Sequence, residues 1–325
     1  MKNTKRFLLG MLLTAALFGV KPVFSQSFED ATNAYNRGVE LASTDLPKAI
    51  EALMEAATIA EKAGPDAAEI MNVARQQIPA LQYNHATNLY KEKKVEEAIT
   101  NFELAHQYAA EYGDDAIKAK SADLLPKLYR VKGNNEYKAE NYTDALASLD
   151  KALEYDPDYA GAWLSKGLIF SKQNDDAKLR EAMDKAIETG TKTNDEKTVE
   201  QASKYMGDNL LGNANSAFKK NDFDGTVAIL DESVKYASNN AEAYYLYALS
   251  YNKLSKWDEA IASATKGLEL DNSSPENQAR FYFEMGMAQA GKGSTDDACA
   301  SFKKATKGQF TESANYQIKT VLKCN

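Results

Sequence analysis

Residues 143–170 read TDALASLDKALEYDPDYAGAWLSKGLIF. Ala145, Leu149 and Ala152 share one helical face, and beyond Pro157 the residues Trp163, Gly167 and Phe170 repeat the same spacing. A small, a bulky and again a small side chain at these steps is what two closely crossing antiparallel helices require. The small residues admit the partner helix, and the bulky one fills the space beside it. The pattern recurs. Five segments align without gaps: KEKKVEEAI (91–99), KAENYTDAL (138–146), KKNDFDGTV (219–227), KLSKWDEAI (253–261) and GKGSTDDAC (291–299). Ala86, Gly133, Ala214, Ala248 and Gly286 each stand 12 residues before Ala98, Ala145, Thr226, Ala260 and Ala298. Another 7 residues on come Ala105, Ala152, Ser233, Gly267 and Ala305. Between the last two sets sit Phe102, Leu149, Leu230 and Phe302, with Ala264 in the remaining case.

This order, at a period of 34 residues, resembles the tetratricopeptide repeat. The resemblance implies an all-α fold, a right-handed superhelical solenoid of antiparallel helix pairs. Its register places about seven repeats within residues 26–311, at 30–63, 79–112, 126–159, 160–193, 207–240, 241–274 and 279–312. In the first, Gly38 comes one residue late; in the fourth, Leu179 stands where a small residue is expected. Extra segments at 64–78, 113–125 and 194–206 keep helical spacing and are expected to lengthen the first helix of the next repeat, as added packing or as a further contact face. Pro79 and Pro126 fall where extension meets repeat, so a kink or break is expected there. Residues 312–325 are expected to form a capping helix whose apolar side is Ala314, Ile318 and Leu322.

The N-terminus has the layout of a secretory signal. Lys2, Lys5 and Arg6 precede an apolar run of 14 residues from Phe7 to Val20, and cleavage is expected after Ser25. That run is short for a membrane span, which needs about 20 residues. No later segment is apolar enough to cross a bilayer, so export to a compartment such as the bacterial periplasm is the expectation. Removal of residues 1–25 takes away Lys2, Lys5, Arg6 and Lys21, so a chain of net charge −8 becomes −12. Such acidity opposes nucleic-acid binding, which depends on clustered Lys and Arg. Cys299 opens the second helix of the last repeat and Cys324 ends the cap. A hairpin turning near 308–311 brings the two sulfurs to the same end, where an oxidising compartment would join them. Such a bond stabilises by roughly 3 kcal/mol in the chain-entropy model.

Chemistry-bearing patterns are absent. His85 and His106 lack partners at metal-ligand spacing, and no Ser, His and Asp set suggests itself. The stretch GMAQAGKG (286–293) nearly matches a phosphate loop, but Gly293 replaces the Ser or Thr and no strand precedes it. No catalytic residue, metal site or cofactor is therefore expected. The resemblance implies a ligand groove on the concave face, built from first helices. By position its candidates are Tyr83, Asn84, Thr87, Tyr90, Lys127, Arg130, Asn134 and Tyr137, then Leu164, Leu168, Leu211, Asn215 and Phe218, then Tyr245, Asn252, Phe283 and Met287. The family's carboxylate clamp is matched at Arg130 and Asn134 but not at Ser165 and Asp208. The expected function is a non-enzymatic scaffold that binds extended peptide or protein segments, for example in envelope assembly or secretion. A periplasmic glycan-binding accessory protein is the alternative, suggested by 18 Tyr and 2 Trp.

Overall fold

A computed structural model describes residues 23–324. Residues 1–22 of the expected signal segment, its apolar run included, lie outside the described residues, and the expected cleavage point after Ser25 falls within the first helix. Every regular element among the described residues is helical. The described helices form two compact units, which divide between Leu179 and Arg180.

In the first unit, α1 (Val23–Leu41) pairs with α2 (Leu46–Ala63), α3 (Ala68–Lys91) with α4 (Val95–Tyr112), and α5 (Asp115–Lys138) with α6 (Tyr142–Tyr155), followed by α7 (Ala160–Lys172). The helix α8 (Asp176–Thr193) begins just before the unit boundary. In the second unit α9 (Glu196–Lys219) pairs with α10 (Phe223–Tyr236), α11 (Ala241–Lys253) with α12 (Trp257–Leu270), and α13 (Pro275–Gly291) with α14 (Thr295–Ala305). A short helix α15 (Thr311–Tyr316) runs into a π-helical turn at Gln317–Val321.

The small residues are where the hairpins need them. Ala86, Ala98 and Ala105 are wholly buried, as are Ala145 and Ala152, and Ala298 and Ala305. A Cβ on Gly133 would stand 3.0 Å from Leu149 Cγ, so this glycine gives its hairpin partner room. Gly267 does the same toward the following hairpin: a Cβ there would lie 2.1 Å from Cε1 of the fully buried Phe281. Small residues thus close the hairpin on one side and stack it on the other.

The turns share one device. The third residue of each aligned segment, Lys93, Glu140, Asn221, Ser255 and Gly293, has positive φ, between 58° and 87°, and Asn174 joins them at 56°. The next amide then donates back to a carbonyl five residues earlier: Lys94 N to Leu89 O, Asn141 N to Glu136 O, Lys256 N to Tyr251 O. This left-handed cap satisfies the orphan carbonyls and reverses the chain in three residues.

The expected breaks at the prolines do not occur. Pro79 and Pro126 are buried inside α3 and α5, and both helices continue through them unbroken. Each proline removes one helical hydrogen bond, a loss of about 3 kcal/mol. Packing of α3 on α2 and α4, and of α5 on α4 and α6, outweighs it. The extra segments lengthen the first helices as expected, α3, α5 and α9 having 24 residues each; the helices before them, α2, α4 and α8, also run to 18 residues against 14 in α6, α10 and α12.

Part of the helix pattern recurs in a larger register. The starts of α8, α9, α10 and α11 (Asp176, Glu196, Phe223, Ala241) each lie 81 residues after those of α4, α5, α6 and α7 (Val95, Asp115, Tyr142, Ala160), and the four ends are displaced equally. Side-chain bonds follow the same shift. Tyr155 OH donates to Glu103 at 3.2 Å, and Tyr236 OH to Asp184 at 2.6 Å. Asp150 accepts from Lys166, and Asp231 accepts from Tyr247. Asp114 and Asp195 both cap the third amide of their long helices.

At the C-terminus, Ala314, Ile318 and Leu322 pack on Ala298, Phe302 and Ala305, and Lys319 and Lys323 are exposed. This packing brings Cys299 and Cys324 to disulfide geometry, with their Cα atoms 5.8 Å apart.

Two alanine substitutions separate packing from helix propensity. Gly267→Ala should lower stability by about 1–3 kcal/mol, because Phe281 has nowhere to move. Gly212→Ala, in α9 with nothing within 4 Å, should raise it by about 0.5–1 kcal/mol. Urea denaturation of both variants checks the pair; a loss at both positions contradicts it.

Candidate ligand-binding surfaces

In the first unit α3 carries Tyr83, Asn84, Thr87 and Tyr90, and α5 carries Lys127, Arg130, Asn134 and Tyr137. These side chains do not act as one set. Tyr83 stands edge-on to Phe102, 5.1 Å between ring centroids, and Tyr137 lies against Tyr142 at 5.9 Å. Arg130 reaches forward: its Nη1 donates to Tyr159 OH at 3.0 Å, and its guanidinium lies 5.7 Å from that ring's centre. Thr87 donates to the carbonyl of Tyr83, and Lys127 pairs with Asp123. Asn84 and Tyr90 remain exposed, and Asn134 is half-buried. Leu164 is corrected. It is 9% exposed on α7, a helix buried nearly all round through Ala160, Gly161, Ala162, Ser165, Gly167 and Ile169, so it belongs to the core and not to an open groove. Leu168 beside it is half-buried.

In the second unit the expected residues are again partly taken up by packing. Phe218 meets Phe223 across its own turn at 5.3 Å, and Phe283 lies between Phe302 and Phe310, at 5.5 and 5.3 Å. Tyr245 stands edge-on to Phe281. Asn215 donates to the carbonyl of Leu211, which is half-buried. Asn252 donates to both the backbone carbonyl and the carboxylate of Glu284, at 3.0 and 2.8 Å. Met287 is exposed.

Elsewhere a cleft of about 630 Å³ opens between the N-terminal half of α9, the loop joining α10 to α11, and the start of α13. Lys204 and Asp208 on α9 form an ion pair along its wall, and Arg280 from α13 pairs with Glu242 and, at 3.4 Å, with Asp271. Tyr245 and Phe281 support the Arg280 guanidinium from their rings at 4.9 and 4.7 Å. Tyr236 also lines the cleft; burial, then its bond to Asp184, pushes its hydroxyl up to about 12. None of the residues lining the cleft is among the groove candidates named by repeat position. The signal for them is the extension 194–206, which supplies Glu200, Ser203 and Lys204.

Among the described residues no group of three or more His, Cys, Asp or Glu side chains is placed to hold a metal ion, and no helix is long and apolar enough to cross a membrane. The family model described as "Tetratricopeptide repeat" matches residues 130–193, spanning α6, α7 and α8. Residues 130–193 are thus similar to a tetratricopeptide repeat, and the described residues have that repeat's helix-pair fold.

A second model, "Anaphase-promoting complex, cyclosome, subunit 3", matches residues 183–266 of this repeat protein. No curated protein matches it. Solved structures that do include YrrB, described as a TPR protein with an unusual peptide-binding site (21% identity over 59% of this chain and 90% of that one, TM-score 0.33). Others are the TPR2AB domain of yeast Sti1 in its pHSP90 complex (19% identity, 90% and 95% coverage, TM-score 0.34) and a repeat protein from Parabacteroides merdae (19% identity, 92% and 100%, TM-score 0.31). Likeness at this level concerns helix-pair architecture alone.

One buried group sets a pH dependence for this repeat protein. Glu284 is 7% exposed, and desolvation raises its carboxyl above the ordinary value of 4.5, offset only in part by the Asn252 amide and the Lys253 charge. Folded, it holds its proton more tightly than unfolded, so its contribution to stability is complete below pH 4.5 and is lost as pH rises through the raised value. Glu284→Gln keeps an acceptor for Asn252 and removes the buried charge. The variant should unfold at higher urea than the unaltered chain near neutral pH, with the advantage shrinking in acid. An advantage that persists unchanged in acid contradicts the assignment.

Proposed function

We propose that this chain is a non-catalytic interaction scaffold that holds extended peptide segments of other proteins. The observation that carries the reading is the division of labour among first-helix side chains in the first unit. Tyr83, Arg130 and Tyr137 are engaged by neighbouring rings, while Asn84 and Tyr90 are exposed and Asn134 is half-buried. Amide and tyrosine side chains are suited to an extended backbone, because they offer hydrogen bonds and contact area at small entropic cost. The fold suits the task as well, since a stack of helix pairs presents a long surface that no single closed core provides. An exported location is part of the proposal. It is supported by the signal-like N-terminal sequence and by a Cys299–Cys324 pair able to close in an oxidising compartment. A role in envelope assembly or secretion fits such a location.

Selection from a library of displayed unstructured peptides tests this. The purified chain should enrich peptides whose binding falls at least about tenfold in an Asn84→Ala, Tyr90→Ala, Asn134→Ala triple variant, since each of these side chains would contribute about one net hydrogen bond or ring contact. Enrichment of none, together with binding of oligosaccharides, sinks the proposal in favour of a glycan-binding role.

A further inference from the structure

The cleft in the second unit exists because the second copy of the 81-residue pattern differs from the first at a few positions. In the first copy Tyr159 stands as the N-cap of α7, and Gly161 follows in the first turn. The Arg130 guanidinium bonds the Tyr159 hydroxyl and lies so close to Gly161 that a Cβ there would be 2.6 Å from Nη1. Ring and guanidinium therefore fill this place. At the matching positions of the second copy stand Asn240, Glu242 and, for Arg130, Leu211. The filling is gone, and about 630 Å³ is open, a volume within the ordinary range for a ligand site. The flanking ion pair persists with its signs exchanged: Lys127 with Asp123 in one copy, Asp208 with Lys204 in the other.

The electrostatics of the walls select the ligand. Both cations are already engaged, Lys204 by Asp208 and Arg280 by Glu242 and Asp271. An incoming anion would have to displace a carboxylate. Glu200, by contrast, is exposed and makes no ion pair or side-chain hydrogen bond, and Asp271 gives Arg280 one carboxylate more than its charge balances. The cleft is thus left with surplus negative charge. Asn239 and Asn240 supply amides on the facing loop, where the Asn240 oxygen caps the Glu242 amide at 3.0 Å.

We propose that this cleft is a second binding site, which takes an extended peptide segment carrying a Lys or Arg side chain, with the basic group at Glu200 and the peptide backbone at Asn239 and Asn240. The site is separate from the first-unit surface on which the scaffold reading rests, so either can fail alone.

The test is fluorescence anisotropy on the full chain with three labelled probes: a short peptide of alternating Lys and Ala, its Glu–Ala counterpart, and a linear oligosaccharide. The Lys–Ala peptide should bind, more weakly as salt is raised, and the other two should not. Asn240→Tyr restores the first copy's residue and refills the cleft; Glu200→Lys reverses the surplus charge. Each should weaken Lys–Ala binding at least about tenfold. Glu200 is exposed, so its variant decides the matter if Asn240→Tyr lowers the thermal midpoint. The Asn84, Tyr90, Asn134 triple variant should bind the Lys–Ala peptide unchanged. The proposal is overturned by equal binding of the Glu–Ala peptide, by oligosaccharide binding that Asn240→Tyr abolishes, by no binding of the Lys–Ala peptide, or by full binding to a folded Glu200→Lys variant. Loss only in the triple variant would leave the scaffold reading standing and remove this one.

Discussion

How closely two helix backbones may approach decides this architecture. Where a helix pair crosses at alanine or glycine, the space beside the contact admits one bulky side chain, and burying it drives the hairpin shut. Phe102, Leu149, Leu230 and Phe302 are these bulky residues, and each is at most 1% exposed. The same helices carry a second small position toward the next hairpin, seen at Gly267 beneath Phe281. One side chain closes a repeat and another joins repeats, so stability spreads along the stack through neighbour contacts. Terminal closure then becomes necessary, and the segment from Thr311 to Leu322 provides it by covering Phe302 and Ala305.

Superimposed on this short period is a longer one. From α4 to α11 a register of 81 residues recurs in helix bounds, caps and tyrosine–carboxylate bonds. Tyr155 and Tyr236 occupy matching places, each pushed up to about 12, by burial first and then by Glu103 or Asp184. Conserved framework with altered lining is how one repeat can keep its fold while acquiring a different surface. Arg130, Tyr159 and Gly161 fill a space in one copy that Leu211, Asn240 and Glu242 leave open in the other.

The spacing of small residues is legible in the sequence because helix geometry ties it to a period, and any one degenerate position is corrected by its counterparts. The extensions are legible for the same reason, and Ile70, Ala74 and Ile78 are buried along α3 as their spacing predicts. The left-handed caps are less so: Lys93, Glu140 and Ser255 carry no glycine signal, and only their alignment reveals them. Ligand surfaces are harder still. Family position places Tyr83, Phe218 and Phe283 on first helices, but whether a ring faces solvent or its neighbour depends on side chains a repeat away, which period alone does not specify. Leu164 shows the limit, buried because α7 is apolar on nearly every side. Arg280 and Asn240 escape notice because the cleft joins an extension, a loop and a later helix, elements far apart in the chain.

A double-mutant cycle at Gly286 and Phe302 measures the closing contact itself. A Cβ on Gly286 would meet Phe302 Cε1 at 2.9 Å and Cδ1 and Cζ at 3.0 Å, inside the hairpin formed by α13 and α14. If hairpin closure depends on that approach, Gly286→Ala destabilises strongly in the unaltered chain but little when Phe302→Leu has removed the ring. The coupling should then be on the order of 1 kcal/mol or more. Additivity within about 0.3 kcal/mol would show that the small residue and the ring do not act as a pair, and would contradict the packing logic on which the stack rests.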